Sequence, residues 1–180
     1  MEIYMDDFTR EFPFELGGDF EYIETIGHGS FGTVIHAKEK SSNKDMAIKV
    51  INKNNSLQPM IKKVKEEILI LRKLNHEHIV KFFGFLETNN QLLIKMEYIK
   101  YGTLSQWIKN HKVISEEEAS IIIKTIFSAV VYLHSKQICH RDIKPENIMI
   151  SEENDLNSIK IIDFGLSAQN LEFLINNDYF

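Results

Sequence analysis

The chain has 180 residues, of which 43% are hydrophobic and 26% charged, a composition typical of a globular protein with one domain or one and a half. A net charge of -5 and a pI of about 5.8 argue against a dedicated nucleic-acid binder, whose surface is usually basic. The single cysteine cannot form an internal disulfide, the acidic N-terminus is not a secretory signal, and no apolar run approaches the ~18 residues of a membrane span. We therefore expect a cytoplasmic or nuclear protein that binds neither nucleic acid nor membrane, and the sequence carries no signal of its oligomeric state.

After an N-terminal arm (1–18), the first predicted element is a glycine hairpin. Residues 20–26 alternate as a strand does, and the β-branched residues 33–37 predict a second strand. Between them lies a GxGxxG motif, in which glycines let backbone N–H groups approach phosphate oxygens without a Cβ in the way. Taken alone, the motif is equally compatible with a hairpin that has no ligand. In dinucleotide-binding folds the glycines open a helix, so the second strand counts against that fold.

Three more strands and a helix are predicted next. Strand 46–51 is apolar except for Lys49, which needs a partner if it is buried and would otherwise reach water from an edge strand. From Pro59, apolar residues recur at helical spacing, with Glu66 and Glu67 among them. Residues 80–86 and 92–97 then form two strands around an Asn-Asn turn.

The next part of the chain is predicted to be helical. A short helix begins near Leu104, and a capping box of Ser115 and Glu118 begins the longest helix, which extends to about His134. That helix is apolar nearly all round, so we expect it to be buried on several sides. Residues 159–162 predict a further strand.

Two short motifs concentrate the reactive side chains. The first, His140-Arg141-Asp142-Ile143-Lys144-Pro145-Glu146-Asn147, contains a candidate catalytic carboxylate in Asp142. The second is Asp163-Phe164-Gly165. Asn147 and Asp163 offer oxygen ligands that suit Mg²⁺, which takes few carboxylates and leaves room for phosphate oxygens. Either aspartate alone could be an ordinary loop or turn residue, but Lys49, Asp142, Asn147 and Asp163 together are not expected by accident.

In this order and spacing, the motifs resemble the signature set of eukaryotic protein kinases, from about Phe20 to Ser167. The resemblance implies an α+β, bilobal, protein-kinase-like fold. It would have an N-lobe (19–98) of a five-stranded antiparallel sheet plus one helix, and a partial helical C-lobe (99–168) followed by an atypical tail (169–180).

The resemblance also implies roles for individual residues. Lys49 would hold the ATP phosphates and pair with Glu67, with Glu66 as the adjacent alternative. Asp142 would accept the proton of the substrate hydroxyl, and Lys144 would neutralise the γ-phosphate and mark a Ser/Thr kinase. ATP contacts are assigned to Ile26, Gly27, His28, Gly29, Ser30, Phe31, Gly32, Thr33, Val34, Ala47, Lys49, Met96, Glu97 and Ile99. Residues 96–99 would form the hinge, whose backbone hydrogen-bonds the adenine. His140 would be a packing residue of the loop and not a base.

The predicted function is therefore a protein serine/threonine kinase that uses ATP and Mg²⁺ on a protein substrate, and the motifs lean towards the calcium/calmodulin-dependent-kinase-like branch. No activation segment is apparent after Ala168, so we expect a chain truncated after Asp163-Phe164-Gly165. Without the helices that would normally pack against it, the long helix is expected to leave apolar surface exposed, which favours aggregation or the binding of a partner. The alternative is a truncated, inactive kinase-like module that binds ATP or a protein partner without turnover. A dinucleotide-binding oxidoreductase is a third interpretation, which rests on the glycine loop alone.

Overall fold

The structure is a computed structural model that describes residues 19–29, 32–53, 58–111 and 113–169. The chain divides into two compact units. The first, called the sheet unit, consists of Met1–Gln58 and Phe83–Tyr98; the second, called the helical unit, consists of Pro59–Phe82 and Ile99–Phe180. The predicted N-terminal arm and all but the first residue of the predicted tail lie outside the described residues.

A five-stranded antiparallel sheet dominates the sheet unit, as the sequence predicts. Its strands are β1 (Phe20–Gly29), β2 (Gly32–Glu39), β3 (Lys44–Asn52), β4 (Phe82–Glu87) and β5 (Gln91–Glu97), in the order β1-β2-β3-β5-β4. The strand predicted at 80–86 begins two residues late, at Phe82. In β1 the register shifts between Tyr22 and Glu24 and again between Thr25 and Gly27, which interrupts the alternation expected there.

Alternation along the strands gives the sheet its core. Because side chains point to opposite faces of a strand in turn, Ile35 and Ala37 share one face of β2, and Met46 and Ile48 share one face of β3. These residues are buried in one apolar cluster that also contains Phe20 and Leu93. The opposite face of the sheet carries the alternating residues Val34 and His36 on β2 and Ala47 and Lys49 on β3.

The helical unit has three helices and two small sheets within the described residues. The helices are α1 (Gln58–Leu71), α2 (Leu104–His111) and α3 (Glu116–Ser135). The short strands are β6 (Ile138–Cys139), β7 (Ile148–Ile150), β8 (Ile159–Ile161) and β9 (Ala168–Gln169). β6 pairs with β9 and β7 pairs with β8, both antiparallel.

Helix α3 begins with the predicted capping box: the Glu118 amide donates to the Ser115 hydroxyl at 3.2 Å, and the Ser115 amide donates back to Glu118 Oε2 at 2.8 Å. One face is buried, with Ala129 and Leu133 at its centre.

Part of the apolar surface of α3 is exposed, as expected from the sequence. Ile123, Phe127 and Val131, spaced four residues apart, form an exposed apolar stripe, with 52%, 62% and 64% of their surface accessible. By length and composition alone this helix could cross a membrane, although it contains no unbroken apolar run of ~18 residues. A single helix of this kind is weak evidence, because the core helix of a soluble protein passes the same test.

Candidate active site

Strand register brings the predicted ATP-contacting residues of the sheet unit together. His28 pairs with Thr33 next to the turn of the glycine hairpin, Val34 pairs with Lys49, and Ala47 pairs with Met96. Ile26, Gly27 and Gly29 lie in β1, while Ser30 and Phe31 fall outside the described residues. The hairpin, the strand lysine and the end of β5 therefore lie along adjacent strands of one sheet.

Position 32 requires a glycine because of its backbone conformation and its close approach to β3. Its φ of +149° is a backbone conformation that L side chains rarely adopt, and a Cβ at this position would lie 2.1 Å from the Val50 carbonyl oxygen. The close approach of β2 to β3 at this point is possible only without a side chain.

Helix α1 distinguishes its two candidate carboxylates by burial. Glu67 is 4% exposed, whereas Glu66 is exposed to solvent. A buried carboxylate needs a cationic or hydrogen-bonding partner, so this difference favours Glu67 as the functional glutamate. Lys49 is half-buried in β3. The pairing of Lys49 with Glu67 stays a prediction.

The predicted hinge, residues 96–99, follows the end of β5. Met96 and Ile99 are buried, at 9% and 5% exposure, and Glu97 is the last residue of the strand, opposite Met46. Hydrogen bonds to an adenine ring would come from the backbone N–H and C=O groups of these residues. Since almost every residue has these groups, the identity of the side chains does not indicate such a site.

The catalytic loop is held by short hydrogen bonds around Asp142. Lys144 Nζ donates to both carboxylate oxygens of Asp142, at 3.1 Å and 2.8 Å. Asn147 Nδ2 donates to Asp142 Oδ2 at 2.8 Å and to the Asp142 carbonyl at 2.9 Å. The carboxylate is half-buried and the lysine exposed. Asp142, Lys144 and Asn147, which the sequence assigns to catalysis and metal binding, thus form one cluster.

These contacts set the charge of both groups. The hydrogen bond from Lys144 holds the pKa of the Asp142 carboxyl below its usual range, and Asn147 contributes in the same direction against the opposing effect of desolvation. The same hydrogen bond raises the pKa of Lys144. Asp142 is therefore an anion and Lys144 a cation across the neutral pH range.

His140 is a buried residue that contacts the loop at Asp142. Its ring is 3% exposed, its Nδ1 accepts a hydrogen bond from the Asp142 amide at 3.2 Å, and it meets the Phe164 ring edge-on at 4.8 Å. Burial lowers the pKa of His140, although the carboxylates of Asp163 and Asp142 oppose this. The histidine is thus a neutral packing residue, in agreement with the role that the resemblance implies.

The two candidate metal ligands flank the β7–β8 hairpin. Ile148 pairs with Ile161, and the Ile162 amide donates to the Asn147 carbonyl at 3.0 Å, so Asn147 precedes one strand and Asp163 follows the other. Both hydrogen bonds donated by the Asn147 side chain use Nδ2, which leaves Oδ1 for a ligand. Asp163 Oδ1 accepts from the Gly165 amide at 3.0 Å, which leaves Oδ2. One amide oxygen and one carboxylate oxygen fit Mg²⁺, which completes its shell with phosphate and water.

Two contacts of this site were not predicted from the sequence. Arg141 Nε donates to the Leu166 carbonyl at 2.6 Å, and Ser167 Oγ donates to the His140 carbonyl at 3.2 Å. Both tie the catalytic loop to the segment after Phe164. Partners 25 and 27 residues apart leave no periodic signal in a sequence.

The five-stranded sheet with its glycine hairpin and the loop built on Asp142 are typical of a protein kinase domain, and comparison with known proteins agrees. The family model "Protein kinase domain" matches residues 20–172. The chain is 38% identical over 160 residues to calcium-dependent protein kinase 5 of Plasmodium berghei, a match that covers 86% of this chain and 28% of the relative. It is 38% identical over 155 residues to the maternal embryonic leucine zipper kinase of Xenopus tropicalis, which covers 86% of this chain and 23% of that protein.

Among solved structures, Rad53 1-466 in complex with AMP-PNP matches with a TM-score of 0.77 and 36% identity, over 83% of this chain and 40% of that chain. The chain belongs to the protein kinase family. It spans about a quarter of the length of the curated relatives described above.

Proposed function

We propose that the protein is a serine/threonine kinase that transfers the γ-phosphate of ATP to a Ser or Thr hydroxyl of a protein substrate. The observation that carries the proposal is the arrangement at Asp142, whose carboxylate is held by Lys144 and Asn147 at 2.8 Å each. Phosphoryl transfer requires positioning and charge neutralisation more than covalent chemistry, and this cluster provides an anion, a cation and an amide within six residues of sequence.

The sheet unit supplies the proposed nucleotide-binding groups. The glycine hairpin would offer backbone N–H groups to a phosphate, Lys49 offers a positive charge to phosphate oxygens, and Val34 and Ala47 offer apolar surface to a base. The relative Rad53 was solved with AMP-PNP, an ATP analogue, which supports ATP as the ligand here.

In the helical unit Asn147 and Asp163 would hold Mg²⁺, which when bound neutralises charge on the phosphate oxygens. Asp142 would accept a hydrogen bond from the substrate hydroxyl and aim its oxygen at the phosphorus. Its lowered pKa keeps Asp142 ionised before transfer, so the carboxylate can accept this hydrogen bond and orient the hydroxyl. Lys144 would move its charge from Asp142 towards the transferred phosphoryl group, a displacement that its exposed side chain permits.

The first test is phosphate transfer from radiolabelled ATP to a Ser/Thr peptide by the full chain. Asp142→Asn is expected to lower the rate by about 10²- to 10⁴-fold while nucleotide binding is retained. Lys49→Met is expected to weaken Mg·ATP binding. Glu153→Gln removes an exposed carboxylate in the same unit and serves as the isosteric control, with an unchanged rate.

Transfer that persists at the wild-type rate in both Asp142→Asn and Lys49→Met would overturn the assignment. A chain that binds Mg·ATP but transfers no phosphate at all would instead support the alternative of a binding module without turnover.

A further inference from the structure

Helix α3 carries an exposed apolar stripe that the proposed chemistry does not use. Its members are Ile123, Phe127 and Val131, whose accessible fractions are 52%, 62% and 64%. Residues four apart lie on the same side of a helix, so the three side chains form one surface about 12 Å long. A contiguous exposed apolar surface of this kind marks a place where another segment or protein binds.

The described part of the chain returns to the end of this helix. Strand β6 follows α3 directly and leads away from its last residue, Ser135. Strand β9 pairs with β6 in the antiparallel sense, and its last residue, Gln169, lies opposite Ile138. The chain in β9 therefore runs back towards the C-terminal end of α3.

Side-chain contacts place Gln169 beside the same helix. Gln169 Oε1 accepts a hydrogen bond from Lys73 Nζ, and the Lys73 carbonyl accepts one from the hydroxyl of Tyr132 on α3 at 3.4 Å. The chain thus passes from Gln169 into residues 170–180, which lie outside the described residues, next to the C-terminal end of α3.

Residues 170–180 are long enough to cover the stripe. An extended chain advances about 3.3 Å per residue, so these residues can reach up to about 36 Å. The distance along α3 from Ser135 back to Ile123 is about 18 Å. Roughly half of the segment is therefore enough to pass all three side chains of the stripe.

The composition of residues 170–180 also matches the stripe. More than half of the segment is apolar or aromatic, namely Leu171, Phe173, Leu174, Ile175, Tyr179 and Phe180. Its charged residues are Glu172 and Asp178, whereas α3 beyond its first turn carries Lys124 and no carboxylate. The segment and this part of the helix are therefore complementary in apolar character and in charge.

We propose that residues 170–180 of this chain bind the exposed stripe of α3, with Phe127, the middle and largest of its side chains, at the centre of the contact. A segment that is covalently attached beside its site acts at an effective concentration in about the millimolar range. It therefore occupies the stripe in preference to a second copy of the chain in dilute solution. The interaction involves no nucleotide, so it stands independently of the proposed kinase activity.

The test is photo-crosslinking in the full chain. Phe127 is replaced by benzoylphenylalanine, a photoreactive analogue that keeps an aromatic side chain, and the linked peptides are identified by mass spectrometry. A mixture of isotope-labelled and unlabelled chains distinguishes links within one chain from links between two copies. We expect links from position 127 to residues 170–180 of the same chain. The same probe at Val113, which is 79% exposed and lies outside α3, should form none to that segment.

Two matched sets of substitutions test which side chains make the contact. Combining Leu171→Ser, Leu174→Ser and Ile175→Ser should lower the yield of the link by at least about tenfold, because even one buried leucine changes an equilibrium by that factor. Combining Asn170→Ser, Asn176→Ser and Asn177→Ser changes the same number of polar residues in the same segment and should leave the yield unchanged.

The probe at Ile123 repeats the experiment if position 127 does not tolerate the analogue. Links between two copies would assign the stripe to a dimer and overturn the proposal. Links only to other parts of the chain, or no links from either position, would overturn it as well. An equal yield in the two sets of serine variants would show that the apolar side chains of the segment do not make the contact.

Discussion

The two units of the molecule present their functional groups in different ways. In the sheet unit, the candidate groups are spaced along four strands, and antiparallel register aligns them, as in the pairs Val34–Lys49 and Ala47–Met96. In the helical unit, Asp142, Lys144 and Asn147 lie within six residues and are aligned by side-chain hydrogen bonds of 2.8 to 3.1 Å. The arrangement in the sheet unit depends on backbone geometry over several strands. The arrangement in the helical unit depends on a few side-chain contacts, which pack on the buried residues His140 and Phe164.

This difference predicts which mutations would disturb the functional groups of each unit. In the sheet, the alignment of the candidate groups changes only if the backbone register is disturbed, because many ladder hydrogen bonds maintain that register. A change in the core of the helical unit would act on the catalytic loop through packing. Helix α3 contacts β6, and the loop begins at His140, directly after β6.

The largest effect on stability is expected from Leu133→Ala. Leu133 is 1% exposed on the buried face of α3, and truncating such a side chain costs about 2–5 kcal/mol, depending on how far the cavity collapses. Amide hydrogen exchange should show faster opening of α3, β6 and β8, with β2 and β3 unaffected. Val131→Ala on the exposed stripe, at 64% exposure, is the control and should stay within about 0.5 kcal/mol. Equal loss of protection in β2 and β3 would show that the two units unfold as one.

Gly32→Ala is expected to have the next largest effect, and to act on the sheet. The left-handed backbone alone costs roughly 1–3 kcal/mol for a residue with a side chain. The new Cβ would lie 2.1 Å from the Val50 carbonyl oxygen, so β2 and β3 must also move apart. Gly27→Ala is the matched control for stability, because a Cβ there lies 4.0 Å from the Val34 Cβ, an ordinary contact. Equal melting temperatures for the two variants would contradict this account of Gly32.

The smallest effect, on pH dependence, is expected from Lys144→Ala. The Lys144 hydrogen bond is the main cause of the lowered pKa of Asp142, so its removal raises that pKa towards the ordinary range. Asp142 must be ionised to orient the hydroxyl. As pH falls, the activity that remains in the variant should therefore decline at a higher pH than in the wild type. Lys124→Ala, an exposed lysine of α3, should leave the profile unchanged. An acid limb that does not move in Lys144→Ala would show that Lys144 does not control Asp142.

Local patterns account for what the sequence predicted correctly. The five strands and the capping box at Ser115 follow from alternation and from a three-residue spacing, both visible in a short window. The irregular register of β1 was not predicted, because apolar and polar residues still alternate on either side of Ile23. The strand predicted at 159–162 is found as β8, whereas the two-residue strands β6 and β9 are too short for any periodicity.

Exposed apolar surface on α3 was predicted, but the stripe that faces solvent was not, since what covers a helix depends on its neighbours in space. The candidate site was likewise predicted only where its contacts are local in the sequence. Asp142 and Asn147 are near in sequence and therefore near in space, whereas the tie from Arg141 to Leu166 depends on tertiary structure.

The hairpin that carries Asn147 and Asp163 at its base has a practical consequence for engineering. Its two strands are joined by residues 151–158, where Glu152, Glu153 and Asn154 are exposed and Asn154 turns the chain with a φ of 57°. The paired strands fix the distance between the two ligands regardless of what the turn contains. A fluorescent reporter or affinity tag inserted between Glu153 and Asn154 would project into solvent and leave both ligands in place.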